Sequence, residues 1–196
     1  MNKSTLVTIA AVLMAVVMSA ALVSQTTSAA FTGSTKTNVN SWRTGHVTIS
    51  DTRNGVAMFT VNNVKPGDSG EQCILIRNTS RVANRMQMYV RNFQEGKGSA
   101  VGLGSVVNIT VQGGSGVDSS NSCATFRSSG NYFVGKADTL GKTRNTYANG
   151  MGNLSTDGRS DTSSSVRISW SIPETVGNEM ENGSMSMEYV WEARSL

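Results

Sequence analysis

Arg85-Met86-Gln87-Met88-Tyr89-Val90-Arg91 sets Met86, Met88 and Val90 on one side of an extended chain and Arg85, Gln87, Tyr89 and Arg91 on the other. A period of two is what a strand shows when one face meets a core and the other meets water. The same rhythm continues in both directions. Upstream, Gln72 to Arg77 carries an unbroken apolar run, Cys73-Ile74-Leu75-Ile76, which predicts a central strand covered on both faces. Before it, Lys65-Pro66-Gly67-Asp68 pairs a residue of fixed φ with one that accepts positive φ, the chemistry of a type II turn. Val47 and Ile49, then Ala57, Phe59 and Val61, alternate earlier still. Downstream, Val107, Ile109 and Val111 form a strand ahead of a Gly/Ser loop from Gly113 to Ser122, and two strands close the chain. Val166, Ile168, Trp170 and Ile172 share a face in the first; Met185, Met187, Tyr189 and Trp191 share one in the second. About eight such strands with almost no helical periodicity predict an all-β, jelly-roll-like two-sheet β-sandwich. Residues 137–164, rich in Gly, Asn, Ser and Thr, read as a long excursion with one short helix or edge strand near Ala137 to Leu140.

The amino terminus follows a different logic. Thr5 to Val23 is a nineteen-residue apolar stretch behind Lys3, and it ends at Ser28-Ala29-Ala30 just before Phe31. A cationic start, an apolar middle and a small-x-small exit suit a signal peptidase, so cleavage is expected between Ala30 and Phe31. The alternative is a retained anchor, since that length could just span a bilayer; no basic stop-transfer cluster follows it. Residues 1–30 are therefore read as a signal peptide and the protein as secreted, to the extracellular matrix or the cell surface. The remaining 166 residues suit one domain. Lys3 is the single charged side chain of the first 30 residues, so the remainder carries a formal charge of +3. Those charges are scattered rather than clustered, and no nucleic-acid footprint emerges.

Cys73 and Cys123 are the two cysteines, and in an oxidising compartment such a pair is expected to form one disulfide. The competing readings are a buried free thiol pair or thiols kept for metal, although two ligands without CxxC spacing fall short of a metal set. His46 is the one histidine, which excludes every motif that needs two imidazoles. No GxSxG elbow accompanies it, so a surface or rim histidine is the simpler reading and no enzyme is expected. A secreted hydrolase would instead lose activity on His46→Ala. Asp118-Ser119-Ser120-Asn121 could offer oxygen ligands to calcium but lacks EF-hand spacing, and a solvated loop is preferred. The Met86/Met88 and Met185/Met187 pairs could suggest copper; strand periodicity already places them in a core. No cofactor or metal is expected. Asn78, Asn108, Asn153 and Asn182 begin Asn-x-Ser/Thr sequons.

The order of several segments carries a resemblance. Ala29 through Phe31, a strand, Val64-Lys65-Pro66-Gly67-Asp68, an apolar strand and Asn78-Thr79-Ser80 come first. A closing run follows much later, Asn182-Gly183-Ser184-Met185-Ser186-Met187-Glu188-Tyr189-Val190-Trp191-Glu192-Ala193. Together they resemble the TasA/camelysin family of secreted bacterial biofilm-matrix proteins, and the cysteine pair resembles its actinobacterial variants. The stretch from about Gln94 to Ser164 matches little beyond pattern. The resemblance implies a jelly-roll subunit released by a SipW-type signal peptidase and assembled outside the cell into matrix fibres. It also implies that a freed N-terminal segment completes the sheet of the next subunit. Here that donor segment would be residues 31–42, containing Phe31, Thr32, Gly33, Ser34 and Val39, ahead of a sandwich domain of residues 43–196. The expected partners are copies of the same chain, joined head to tail, the signal peptidase during export, and other matrix components. Camelysin is described as a metalloprotease, but this chain has no recognisable zinc-ligand set. A reading from another class is a monomeric adhesin or binding module whose sandwich loops meet a glycan or host protein; its concentration-independent monomeric state would separate it from a fibre subunit.

Overall fold

Among the described residues the chain alternates between two antiparallel sheets. The computed structural model describes residues 32–35, 47, 49–52, 64–96, 101–180 and 182–196, all within one unit, Phe31–Leu196. The strands are β1 (Thr32–Thr35), β2 (Ile49–Asp51), β3 (Ser69–Asn78), β4 (Asn84–Glu95), β5 (Asn108–Ser115), β6 (Arg127–Lys136), β7 (Met151–Thr156), β8 (Thr162–Ser171) and β9 (Met185–Ser195). Two short helices interrupt them, α1 (Leu103–Val106) and α2 (Ala137–Thr143). One sheet runs β1-β9-β4-β7 and the other β2-β3-β8-β5-β6. The result is an all-β sandwich, as the alternation predicts. The signal stretch, the Ala57–Val61 alternation, Phe31, Val39 and His46 lie outside the described residues.

The inward sets are those the period-two reading selects. Met86, Met88 and Val90 of β4 meet Trp191 and Ala193 of β9, while Ile74, Ile76, Val111, Val166 and Ile168 cover the facing sheet. All are buried in one cluster, so both methionine pairs are accounted for by packing: Met86 and Met88 lie inside it, and Met185 and Met187 pack against it. Leu103 of α1 and Ala137 and Leu140 of α2 join the same cluster.

β3 explains its unbroken apolar run. It is flanked on both sides, by β2 and β8. Ile74 and Ile76 point into the main core, while Cys73 and Leu75 form a second small core with Val117, against which Cys123 and Phe126 pack. The turn before β3 takes the expected shape: Gly67 has φ +87° and Asp68 N–H donates to the Lys65 carbonyl at 3.1 Å.

From β3 the chain crosses to the opposite sheet through a buried polar knot. Asn78 Nδ2 donates to Asn84 Oδ1 at 2.8 Å, and Asn78 Oδ1 accepts from both the N–H and the hydroxyl of Ser80. All three residues are buried. Because each member has a partner, burial does not leave an orphaned polar group.

Two expectations need correction. Gly113 to Ser115 lie in β5 rather than in the loop. Residues 137–164 hold more than the one short helix or edge strand expected: that helix is α2, a 3₁₀ turn follows at Tyr147–Asn149, and β7 pairs with β4 in register Asn84↔Thr156 to Met86↔Leu154. β6 is an additional strand beyond those read from the alternation. Its Arg127-Ser-Ser-Gly-Asn start is polar, and it lies at a sheet margin, where one-sided pairing weakens the apolar signal.

Candidate functional site: the N-terminal strand at a sheet margin

The N-terminal segment singled out from the sequence is placed, in part, on the margin of the four-stranded sheet. Thr32, Gly33, Ser34 and Thr35 pair antiparallel with Arg194, Ala193, Glu192 and Trp191. β9 is eleven residues long, and its other side is taken by β4 along most of its length, from Asn84↔Ser195 to Glu95↔Met185. Among the described residues, nothing pairs with Met185–Val190 on the β1 side. Beside it, the buried Trp191 indole N–H has no partner among the described residues.

The face of β9 that looks away from the core is braced by charge. Tyr89 O–H donates to Glu192 Oε2 at 2.7 Å, and Arg194 Nε donates to Glu192 Oε1 at 2.8 Å. Arg194 in turn stacks over the Tyr147 ring, 4.1 Å from its centroid. Burial, together with the neighbouring Glu192 carboxylate, pushes the Tyr89 phenol up to about 12. This network ties the C-terminal half of β9, where β1 docks, to Tyr89 of β4 and to Tyr147.

The margin of the other sheet is defended differently. β6 pairs with β5 on one side, with register shifts at Val111/Gln112 and Gly113/Gly114. Its ends carry Arg127 and Lys136. Bulges and terminal like charges are devices that discourage edge-to-edge association.

The cysteines do come together. Cys73 and Cys123 form a disulfide with a Cα–Cα distance of 5.3 Å across 50 residues of sequence. The bridge ties the segment after β5 onto the outer face of β3, where Val117 N–H also donates to Ser165 Oγ at 3.0 Å. In the same segment the Asp118 carboxylate accepts from the Ser120 hydroxyl and N–H, which hold its carboxyl below the usual range. Among the described residues no three of His, Cys, Asp and Glu are grouped to hold a metal, and no described helix is long and apolar enough to cross a membrane. Of the sequons, Asn78 is buried and bonded as described, Asn108 is half-buried, and Asn182 is exposed. The Asn153 side chain lies outside the described residues.

Fold and margin together define the class: a disulfide-tied β-sandwich whose N-terminal strand β1 lies at one margin of the four-stranded sheet. Compared with known protein-family models the chain matches none, and no curated protein matches it.

Proposed function

We propose that this chain is a secreted structural subunit, not an enzyme, that polymerises into extracellular biofilm-matrix fibres by donating its N-terminal segment to the β9 margin of a neighbour. One observation carries the reading: the N-terminal segment can act as a strand on the β9 margin, with Thr32–Thr35 paired antiparallel to Arg194–Trp191. In the observed register, partner numbers sum to 226, as Thr32↔Arg194 and Thr35↔Trp191 do. A donor spanning residues 31–42 in the same register would cover β9 from Ser195 past Met185. Its odd-numbered residues would share the inward face of Trp191 and Ala193, which sets Phe31 and Val39 on the core side, Val39 opposite Met187. Main-chain bonds supply the attachment and alternate side chains the register.

Such a contact is head to tail and does not close, so it produces filaments rather than dimers. The resemblance to the TasA/camelysin family, and the expected release of Phe31 by signal cleavage, support the same reading. The test mixes two variants of the exported protein during assembly, Thr32→Cys and Arg194→Cys, each adding one cysteine to the bridged Cys73–Cys123 pair. Disulfide-linked pairs of the two variants within fibres seen by electron microscopy are expected. Fibres that form without that cross-link, or that persist undiminished when residues 31–42 are deleted, would reject it.

A further inference from the structure

The outer face of the five-stranded sheet is divided in two. One part lies beneath the disulfide-tied segment. The other is a trough of about 330 Å³ whose floor and walls include Ser69, Glu71, Asn108, Thr110, Ser169 and Ser171. Strand register arranges these side chains in two rows across β3, β8 and β5: Ser69, Ser171 and Asn108 in one, Glu71, Ser169 and Thr110 in the next. β6 extends the rows with Lys136 and Val134. Arg167 closes one end, held by Gln112 Oε1 at 2.9 Å from its Nε, by Glu71 at 3.6 Å and by the Phe126 ring at 4.8 Å.

The chemistry of this grid narrows its ligand. Among the described residues the hydroxyls of Ser69, Thr110, Ser169 and Ser171 have no protein partner, so all four present both a donor and an acceptor outward. A ligand that matches them must do the same. The Arg167 guanidinium is already paired with Glu71 and Gln112, and the Lys136 ammonium with the Val106 carbonyl and Asn108 Oδ1, so neither cation is left unpaired for an anion. A cation would find a single carboxylate. A peptide strand adds to a sheet margin, not to a sheet face. Val134, 64% exposed, supplies an apolar strip at the end of the Glu71 row. Vicinal hydroxyls for the carboxylate, hydroxyls for the serine and threonine grid, and a C–H face for Val134 describe one ligand class.

We infer that this trough is a binding subsite for a neutral glycan lying across β3, β8, β5 and β6, a span of roughly 14 Å at about 4.8 Å per strand. The site is independent of polymerisation: it lies on the sheet that does not contain β9, and a monomer carries it whole. A fibre subunit with this subsite would hold matrix polysaccharide along its length.

The experiment titrates the ¹⁵N-labelled exported protein with cellohexaose, laminarihexaose and chitohexaose, with polygalacturonate as the anionic control. Saturable shifts from at least one neutral hexasaccharide are expected at the amides of Ser69–Glu71, Asn108–Thr110 and 169–171. Glu71→Gln should weaken that binding about tenfold, the loss of one hydrogen bond to a charged group. Ser169→Trp, which fills the trough from the solvent side, should abolish it. No saturable response to any of the three, shifts mapping elsewhere, stronger binding of polygalacturonate, or unchanged affinity in Glu71→Gln would each overturn the assignment. Glu71→Gln keeps the test decisive should Ser169→Trp fold poorly.

Discussion

The two faces of β3 are held in different ways. Its inner residues, Ile74 and Ile76, belong to a large core shared by both sheets and both helices. Its outer residues, Cys73 and Leu75, share a cluster with only Val117, Cys123 and Phe126, and a covalent bond fastens the cover. The inner face is stabilised by the area removed from water. The outer face buries too little for that alone, and there the disulfide limits the freedom of the unfolded chain instead.

Breaking each arrangement separately sharpens the contrast. The largest effect is expected for Cys73→Ser with Cys123→Ser: on the loop-entropy account a 50-residue closure contributes about 4 kcal/mol. Urea unfolding should show that loss, and hydrogen exchange should show protection falling first around Val117 and Leu75 while Ile74 and Ile168 keep theirs. Ile74→Ala, at a site almost fully buried, should cost about 3–4 kcal/mol in the same assay. Equal exchange losses on both faces in either variant would remove the distinction.

An outer face without a disulfide supplies the next comparison, on the opposite sheet. Tyr89 holds its proton more tightly folded than unfolded, so its contribution is whole below about pH 10 and is lost as pH rises toward about 12. Wild type should lose about 2 kcal/mol over that interval in alkaline denaturation, and Tyr89→Phe should lose markedly less. The smallest effect is expected for Leu75→Ala, about 1–2 kcal/mol, because a three-residue cluster at the surface can close over the vacancy. If Leu75→Ala costs as much as Ile74→Ala, the outer cluster is a core in its own right.

Much of the sandwich could be read from residue order. β4, β8 and β9 alternate cleanly because each has one face in the main core, and β3 has a continuous apolar run because both its faces are covered. β6 and β7 were illegible for the opposite reason. Met151-Gly-Asn-Leu-Ser-Thr contributes one buried apolar side chain, Met151, a half-buried Leu154 and a buried but polar Thr156, and Gly152 at φ +73° interrupts the pattern. The cysteine pairing was legible from the count of two and the expectation of an oxidising compartment. The candidate margin was only half so: Thr32 to Ser34 could be named, but that they meet Glu192 to Arg194 depends on register, which no local pattern encodes. The hydroxyl trough left no signal, since Ser69, Thr110 and Ser169 are ordinary polar strand residues until three strands set them side by side.

The knot at Asn78 bears on how this protein can be manufactured. In a eukaryotic secretory host, an oligosaccharide transferred to the Asn78 amide during translocation would occupy the atom that must later reach Asn84 in a space closed to solvent. Chains so decorated could not complete the β3–β4 crossing and would be retained or degraded, whereas a bacterial host that leaves the amide bare imposes no such block.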